Sequence, residues 1–521
     1  MAGLGLGAGS SCSLVLDFPQ CVEDLDCTNV QGVELVCRNS ECVLPTPPSD
    51  VGCQTDADCV EAFDDSVVCG TGRVCASLET SHCELRVQPS GVAPDQIVYI
   101  GSILPRTGTY SSIGIPLENA VQLAVEDFNS VTTLPGGKRV GWVACDSEGR
   151  IDDARAAAQE LVAAGIQAVV GPGLSNETIE VANVTANAGV FLISPSASAR
   201  VLGQLVDLGL VWRTAGNDGV QAAGIADRIA AMDPPPQVVV ALAKNDVYGQ
   251  GLIEDLAPRL SGVLPPDGLG TLLYSPLDEF DSEQALLSEY GARVAATFER
   301  SPDVIVLLGS VEARELMLFY LDAWSGADPR PALPTFLLSS EAVPVAESIV
   351  EGVSDNFRGT LMARMEGVAH RTRDPDNYGP FEIRYEIRFP AEEAGLSAGL
   401  AYDATMASLL ALSVLPGGEG SGAEIAAAMA RIADPAGVAV SFGQGLSFVT
   451  EVQAALESGS NVNLRGVSGA LDFDLDSGDV RRELTGFDLE PIAGTTSPRL
   501  TARRRYELDP APAVTGTWID L

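Results

Sequence analysis

The sequence predicts an α/β protein with two lobes of parallel sheet, preceded by a small disulfide-rich region. From Ile97 onward, short and almost continuously apolar runs alternate with amphipathic stretches, and this alternation occurs in two consecutive blocks. Strands of that character belong to parallel sheets that helices cover on both faces. Before residue 84 the pattern is different, because ten of the eleven cysteines lie there.

Composition indicates a globular protein that does not bind nucleic acid. The chain has 521 residues, 46% of them hydrophobic, and a formal net charge of −40. A field of that sign repels phosphate backbones and anionic headgroups, and its simplest role is solubility. Because no run of about 20 apolar residues is present, the sequence predicts no segment that spans a bilayer.

Small and apolar residues precede Cys12 at the start of the chain. They are similar to the end of a secretion signal before a lipoprotein cysteine, so residues 1–12 form a candidate signal remnant and Cys12 a candidate lipid anchor. Gly9 stands where such signals usually carry leucine. An unstructured N-terminus explains the same residues equally well.

Eight cysteines form an internal repeat within residues 13–88. The first four are spaced C-x5-C-x9-C-x4-C and the second four C-x5-C-x9-C-x5-C. Modules this short bury too little apolar surface to fold without cross-links, so we predict disulfides and an oxidising compartment, with the pairing left open. Zinc is the alternative, but its usual C-x2-C pairs are absent. The predicted disulfide cysteines are Cys21, Cys27, Cys37, Cys42, Cys53, Cys59, Cys69 and Cys75.

Cys83 and Cys145 remain once Cys12 is set aside for a lipid. A bridge between these two would join the N-terminal region to the main domain. A free and buried Cys145 is the alternative.

Strands and helices alternate along both blocks. The helix predicted for residues 152–165 is rich in alanine and closed by Gly165, and residues 115–131 have apolar side chains at helical spacing. A further helix is predicted over 176–189. The predicted strands of the first block are 97–105, 139–145, 166–173 and 190–196. In the second block, strands at 238–244, 303–309 and 335–340 accompany helices from about 250 and at 311–324.

Two glycine- and serine-rich loops follow the third and fourth strands. GPGLSNET places Ser175 and Asn176 at a helix start, and ISPSAS places Ser196 and Ser198 after the next strand. Ligands of parallel sheets bind at the carboxyl ends of strands, where free backbone N–H groups suit a carboxylate. Helix capping without a ligand is the alternative.

Catalytic machinery is not apparent in the sequence. His82 lies in the cysteine-rich region and His370 in a polar loop, and neither is predicted to lie beside a nucleophile at a strand end. No G-x-S-x-G, G-x4-G-K-[ST] or H-E-x-x-H motif is present.

An acidic cluster near the C-terminus invites comparison with a calcium loop. Asp472, Asp474, Asp476 and Glu483 have the spacing of its ligands, but Gly478 is at position seven where the loop needs glycine at six. Strand alternation followed by a turn explains the cluster better.

From about residue 97 to about residue 489, the order of motifs resembles the type I periplasmic-binding-protein family and its leucine/isoleucine/valine-binding branch. The motifs are IGSILPRTGTYSSIG, VVGPGLSNET, LISPSAS, VWRTAGNDGVQ, VYGQGL, LSSEAV, AYDATMASLLAL and SGALDFD.

This resemblance implies a binding site for an amino acid, with no cofactor or metal. Ser175, Ser196 and Ser198 match the first-lobe groups that hold the ligand's α-carboxylate. Tyr248 matches an aromatic residue near the ligand, and Glu341 matches the acid that pairs with the α-ammonium. An exposed loop acid is the alternative for Glu341.

Two positions depart from the pattern of the family. The aromatic residue of its first loop falls near Ile113, and a second aromatic residue is replaced around Val311 and Glu312. These positions shape the side-chain pocket, so the ligand need not resemble leucine.

Two lobes hinged by three crossings are implied by the same resemblance. Lobe one is predicted at 97–214 and 365–466, lobe two at 216–358 and 470–490, and a C-terminal tail at 491–521. The crossings are predicted near 215–218, 358–364 and 466–469.

The implied function is that of a non-enzymatic solute receptor in the periplasm or at the cell surface, which passes its ligand to the membrane permease of an ABC-type importer. The alternative is an extracellular sensory or scaffold protein that uses the same clamp, which the cysteine modules favour because ordinary solute receptors lack them. An amide hydrolase on a similar fold would need a nucleophile–base pair that the sequence does not offer.

Overall fold

The computed structural model describes residues 36–38, 41–43, 48–511 and 513–521. The candidate lipid anchor Cys12 and the disulfides predicted for the first cysteine module lie outside the described residues. Within the described part of the chain, no helix combines the length and the apolar character needed to cross a bilayer.

The described parts of the cysteine modules contain short hairpins. In the second module, Cys53 bonds to Cys69 and Cys59 bonds to Cys75, which confirms the predicted disulfides and assigns the pairing that the sequence left open. The backbone supports the repeat as well, because Cys37 pairs with Cys42 in one hairpin as Cys69 pairs with Cys75 in the other. The elements are β1 (Val36–Arg38), β2 (Glu41–Val43), α1 (Asp56–Ala62), β3 (Val67–Cys69) and β4 (Cys75–Ser77).

The first sheet has six strands in the order β10-β9-β8-β6-β7-β5. All neighbouring strands are parallel except β5, which runs antiparallel to β7 at the edge. Its apolar strands are sandwiched by helices, as the sequence predicts. The elements are β5 (Cys83–Val87), β6 (Ile97–Leu104), α2 (Ser111–Val131), β7 (Arg139–Asp146), α3 (Ile151–Ala163), β8 (Ala168–Val170), α4 (Ser175–Ala188), β9 (Phe191–Ser194) and β10 (Val211–Arg213).

A disulfide fixes the edge strand β5 to the first sheet. Cys83 and Cys145 are directly opposite each other in β5 and β7 and are bonded, which confirms the bridge considered from the sequence. Replacing Cys145 by serine is expected to lower the free energy of unfolding by about 4 kcal/mol, because the bridge closes a loop of 62 residues in the unfolded chain.

Denaturant unfolding of the wild type and of Cys145→Ser measures this effect. Breaking the Cys83–Cys145 bond of the wild type with a reductant should lower its free energy of unfolding by most of the same amount. Equal unfolding midpoints for the two oxidised proteins would contradict the prediction.

The second sheet has eight strands in the order β12-β11-β13-β14-β15-β18-β19-β20. Its first five strands are parallel, and the last three are antiparallel. The elements up to β15 are α5 (Asp218–Ala230), β11 (Val239–Lys244), α6 (Val247–Leu260), β12 (Leu269–Tyr274), α7 (Glu283–Arg300), β13 (Val304–Leu308), α8 (Ala313–Gly326), β14 (Thr335–Leu338), α9 (Ala346–Glu351), α10 (Asp355–Met362) and β15 (Met365–His370).

After β15 the chain returns to the first lobe. The helix α12 (Ala398–Leu412) is mostly apolar, packs against α2 and is buried at every residue. The returning elements are α11 (Tyr378–Arg388), α12 (Ala398–Leu412), α13 (Gly422–Ile432), β16 (Val438–Ser441), α14 (Ser447–Glu457) and β17 (Val462–Arg465). The chain then ends in the second sheet with β18 (Leu484–Pro491), β19 (Pro498–Leu508) and β20 (Gly516–Asp520).

The structure differs from the predicted lobe boundaries. β15 was expected in lobe one, but it pairs with β14 and β18 of the second sheet, so the second crossing follows His370. Residues 470–480 were expected in lobe two. They lie against lobe one instead, since Arg213 N donates to Gly478 O and the ring of Phe473 is 5.0 Å from that of Trp212.

The predicted C-terminal tail is also part of the second sheet. Residues 491–521 include β19 and β20, and β19 pairs antiparallel with β18. Pairing of this type joins consecutive strands through short connections, so it extends the sheet without a covering helix.

Candidate functional site

A cavity of about 60 Å³ lies between the two lobes, at the carboxyl ends of strands from both sheets. On the same measure one water molecule needs roughly 10–15 Å³, so the cavity is sized for a small solute. Its wall contains Ile113, Gly173, Leu174, Ser196, Ser198, Ala215, Ser340, Glu341, Pro344, Ala369, His370, Thr372, Leu396, Ser397 and Leu400.

Lobe one contributes two of the predicted serines to this wall. Both follow β9, whose apolar residues Phe191–Ser194 are fully buried. Ser196 Oγ donates to Gly173 O at 2.7 Å. Ser198 Oγ is buried and has no hydrogen-bond partner among the described residues, so it is available to a ligand.

Asp218 lies behind Ser198 at the start of α5. Its backbone N–H donates to Ser198 O at 3.0 Å, and one carboxylate oxygen accepts from Gln221 Nε2. Burial raises the pKa of Asp218 to about 7, against the opposing effects of the nearby Ser198 side chain and the charge of Arg213.

Lobe two contributes Glu341, which follows β14 and lines the same cavity. Burial raises the pKa of Glu341 well above its usual range, and the nearby Lys244 opposes this shift. A cation bound in the cavity would restore the charged carboxylate, since an opposite charge favours ionisation. The serines of one lobe and the acid of the other thus share one enclosed space.

The other two predicted ligand residues lie behind the wall. Ser175 Oγ accepts from Ala199 N at 3.2 Å, which braces the loop that carries Ser198. The side chain of Tyr248 is buried in lobe two, and its hydroxyl donates to Gln221 Oε1 at 3.4 Å. Because Gln221 Oε1 also accepts from Ser340 N at 2.8 Å, Tyr248 supports the Glu341 loop.

His370 is a wall residue that sequence reasoning missed. It is the last residue of β15, where the sequence suggested a polar loop, and it is only 6% exposed. Neither ring nitrogen has a hydrogen-bond partner among the described residues, so His370 forms no hydrogen-bonded nucleophile–base pair there. The available signal was the position of a polar residue at the carboxyl end of a strand.

Contacts between the lobes close the mouth of the cleft. Tyr110 of lobe one donates its hydroxyl to Asp278 Oδ1 of lobe two at 3.2 Å. The Nζ atom of Lys244 lies 4.6 Å from the centre of the Tyr110 ring and 3.2 Å from Asp246 Oδ2. The lobes are therefore in contact on the outer side of the cavity.

The acidic cluster near the C-terminus forms a turn. Asp474 Oδ1 accepts from Asp476 N at 2.9 Å, and Glu483 pairs with Arg371 at 2.7 Å. Among the described residues, the metal-ligating side chains that come close enough to share an ion are Cys53, Cys59 and Cys75, which are already bonded in disulfides.

Comparisons with known proteins point to one family. Residues 97–334 match the family model described as periplasmic binding protein. The chain is 34% identical over 166 residues to a Leu/Ile/Val-binding protein of Rhizobium johnstonii, a match that covers 32% of this chain and 44% of the relative. It is 29% identical over 180 residues to a leucine-specific-binding protein of Salmonella typhimurium, covering 34% and 46%. The matched regions thus span less than half of these relatives.

Solved structures share the fold over more of the chain. A leucine-binding protein of Thermotoga maritima superimposes with a TM-score of 0.58 at 18% identity, covering 78% of this chain and 98% of that one. A solute-binding protein of Rhodopseudomonas palustris in complex with 3,4-dihydroxybenzoic acid has a TM-score of 0.59 at 15% identity, covering 80% and 99%. The two-lobed fold predicted from the sequence is therefore confirmed.

Proposed function

We propose that the chain is an extracytoplasmic receptor for an amino acid, because residues 97–334 match the family model described as periplasmic binding protein. The observation that carries this proposal is the shared cavity. Ser196 and Ser198 reach it from lobe one and Glu341 reaches it from lobe two. A zwitterion suits this arrangement. Its carboxylate would accept from the Ser198 hydroxyl and from Ser196 once that hydroxyl exchanges its hydrogen bond to Gly173 O, and its ammonium would donate to Glu341.

Closure of the lobes is the proposed mechanism. A ligand that contacts both lobes only in the closed state shifts the equilibrium toward that state. Contacts such as Tyr110–Asp278 across the mouth would then hold the ligand away from solvent. Delivery of the ligand to the permease of an ABC-type importer is proposed from the family match and from the similar Rhodopseudomonas palustris structure, which is a solute-binding protein of an ABC transporter.

The described disulfides support a location outside the cytoplasm. Three of them are present, one within lobe one and two within the second cysteine module. Such bonds persist in oxidising compartments. Attachment through a lipid at Cys12 stays a prediction.

A sensory or scaffold role is the second candidate, and the position of the second cysteine module favours it. Thr71 N donates to Ala163 O at 2.8 Å, at the end of α3 that faces away from the cleft. A partner could therefore contact the module without obstructing the cavity.

Isothermal titration calorimetry with the twenty amino acids tests the proposal. We expect at least one amino acid to bind with a dissociation constant in the micromolar range or below. This corresponds to a binding free energy of about −8 kcal/mol or a more negative value. The matched control is the carboxylic acid that lacks the α-amino group of the best ligand, which should bind at least tenfold more weakly. If none of the twenty binds, the proposed function is wrong.

A further inference from the structure

His370 lies at the crossing between the lobes, and two contacts fix it against the wall of the cavity. Its backbone N–H donates to Ser340 Oγ at 2.8 Å, which ties the end of β15 to the Glu341 loop. A Cβ atom at Gly216 would lie only 2.8 Å from His370 Nδ1, so the ring packs on the bare backbone of the first crossing. The imidazole therefore has little freedom to turn away.

The ring lacks the partners that a buried imidazole requires. Nδ1 and Nε2 are both buried and both without a hydrogen-bond partner among the described residues, although the side chain lines the cavity. Leaving such groups unsatisfied is unfavourable, and native structures rarely do so without a functional reason. A ligand in the cavity is the partner that the geometry offers.

The charge state of the ring defines which ligand groups fit. Burial, together with the nearby charges of Arg482 and Arg213, lowers the pKa of His370 to about 3, so the imidazole is neutral near pH 7. A neutral imidazole has one N–H donor and one acceptor nitrogen. A hydroxyl or a carboxamide can either donate to the acceptor nitrogen or accept from the N–H, whichever of the two faces it, whereas a carboxylate accepts only and an alkyl group does neither.

The cavity wall around His370 contains both polar and apolar side chains. The hydroxyls of Thr372 and Ser397 line the cavity together with Ile113, Leu396 and Leu400. The aliphatic residues limit the volume of the ligand's side chain, while the hydroxyls and the imidazole offer hydrogen bonds to its polar end.

We propose that His370 makes the receptor select amino acids that carry a hydroxyl or carboxamide side chain over aliphatic ones of equal shape. The inference rests on the proposed function, because it assigns the side-chain end of the same amino-acid site. A site built around a buried hydrogen-bonding group rejects the ligand that lacks the matching group, since its own polar atoms then stay unpaired.

Two nearly isosteric pairs of amino acids test the proposal by calorimetry, namely threonine with valine and asparagine with leucine. In at least one pair, we expect the wild type to bind the polar member tenfold or more tightly. His370→Leu should reduce that ratio to below threefold and leave the affinity for the aliphatic member within about threefold. His370→Gln, which keeps a donor and an acceptor, should retain a preference for the polar member.

Each outcome decides the question. Equal affinities within both pairs in the wild type, or a ratio that survives in a folded His370→Leu, overturn the selectivity assigned to His370 and leave the amino-acid receptor standing. Absence of binding by all twenty amino acids overturns both. If His370→Leu does not fold, as judged by its circular dichroism spectrum, His370→Met replaces it as the variant without a hydrogen-bonding side chain, with the same expected ratio below threefold.

Discussion

Replacing Glu341 by glutamine is expected to weaken amino-acid binding at least a hundredfold while the fold stays intact. Glu341 is the acid of lobe two that lines the cavity shared with Ser196 and Ser198. Removing one partner of a buried ion pair costs about 3–5 kcal/mol, because the other charge is left unpaired in a poorly solvated site. A loss of about 3 kcal/mol already exceeds a hundredfold in affinity.

Calorimetric titration of the best ligand into the wild type and Glu341→Gln measures this loss. Glu351→Gln is the matched control, because Glu351 is exposed at the end of α9. Its affinity should equal that of the wild type. An unchanged affinity in Glu341→Gln would mean that the ammonium group does not bind at this carboxylate.

Glu177→Gln is expected to stabilise the protein, increasingly so as the pH rises from 5 to 9. Glu177 is fully buried in α4, and neither carboxylate oxygen has a hydrogen-bond partner among the described residues. Burial raises its pKa from 4.5 to about 8, against the opposing effects of Ser147 and Lys244. Between pH 5 and about 8, such an acid is protonated in the folded protein and ionised in the unfolded chain.

The sign of the pH effect follows from the protons bound in each state. Between pH 4.5 and about 8 the folded protein retains the Glu177 proton that the unfolded chain has lost, so stability falls as the pH rises. Each unit of pKa difference is about 1.4 kcal/mol, which puts the full penalty above pH 8 on the order of 5 kcal/mol. Glutamine stands in for the protonated acid and does not carry this penalty.

Denaturant unfolding of the wild type and Glu177→Gln across pH 5 to 9 measures the difference. It should be small near pH 5 and grow to several kcal/mol by pH 9. Glu254→Gln, at an exposed position of α6, should change stability by less than about 0.5 kcal/mol throughout. A difference that does not vary with pH would contradict the raised pKa of Glu177.

Local sequence patterns predicted the parallel core because its strands and helices differ sharply in pattern. The predicted helix at 152–165 is α3, and Gly165 has the positive φ of a helix-terminating glycine. β19 was missed because its arginine-rich sequence lacks a continuous apolar run, and its place is set by pairing with β18. Pairing between distant strands cannot be derived from a local pattern.

The site was predicted in part for a similar reason. Ser196, Ser198 and Glu341 line the cavity, whereas Ser175 and Tyr248 lie one layer behind it. A strand end identifies the loop but not which of its side chains faces the cavity. The surroundings of His370 include Gly216 and Arg482, which are distant in sequence. The lack of hydrogen-bond partners for its ring could therefore not be predicted from the local sequence.

A crystal structure of the protein with its best amino-acid ligand tests the central claim most directly. We expect the ligand's ammonium nitrogen to lie about 2.7–2.9 Å from a Glu341 carboxylate oxygen and the ligand's carboxylate to lie at Ser196 and Ser198. A ligand bound to one lobe alone, or oriented with its carboxylate toward Glu341, would contradict it.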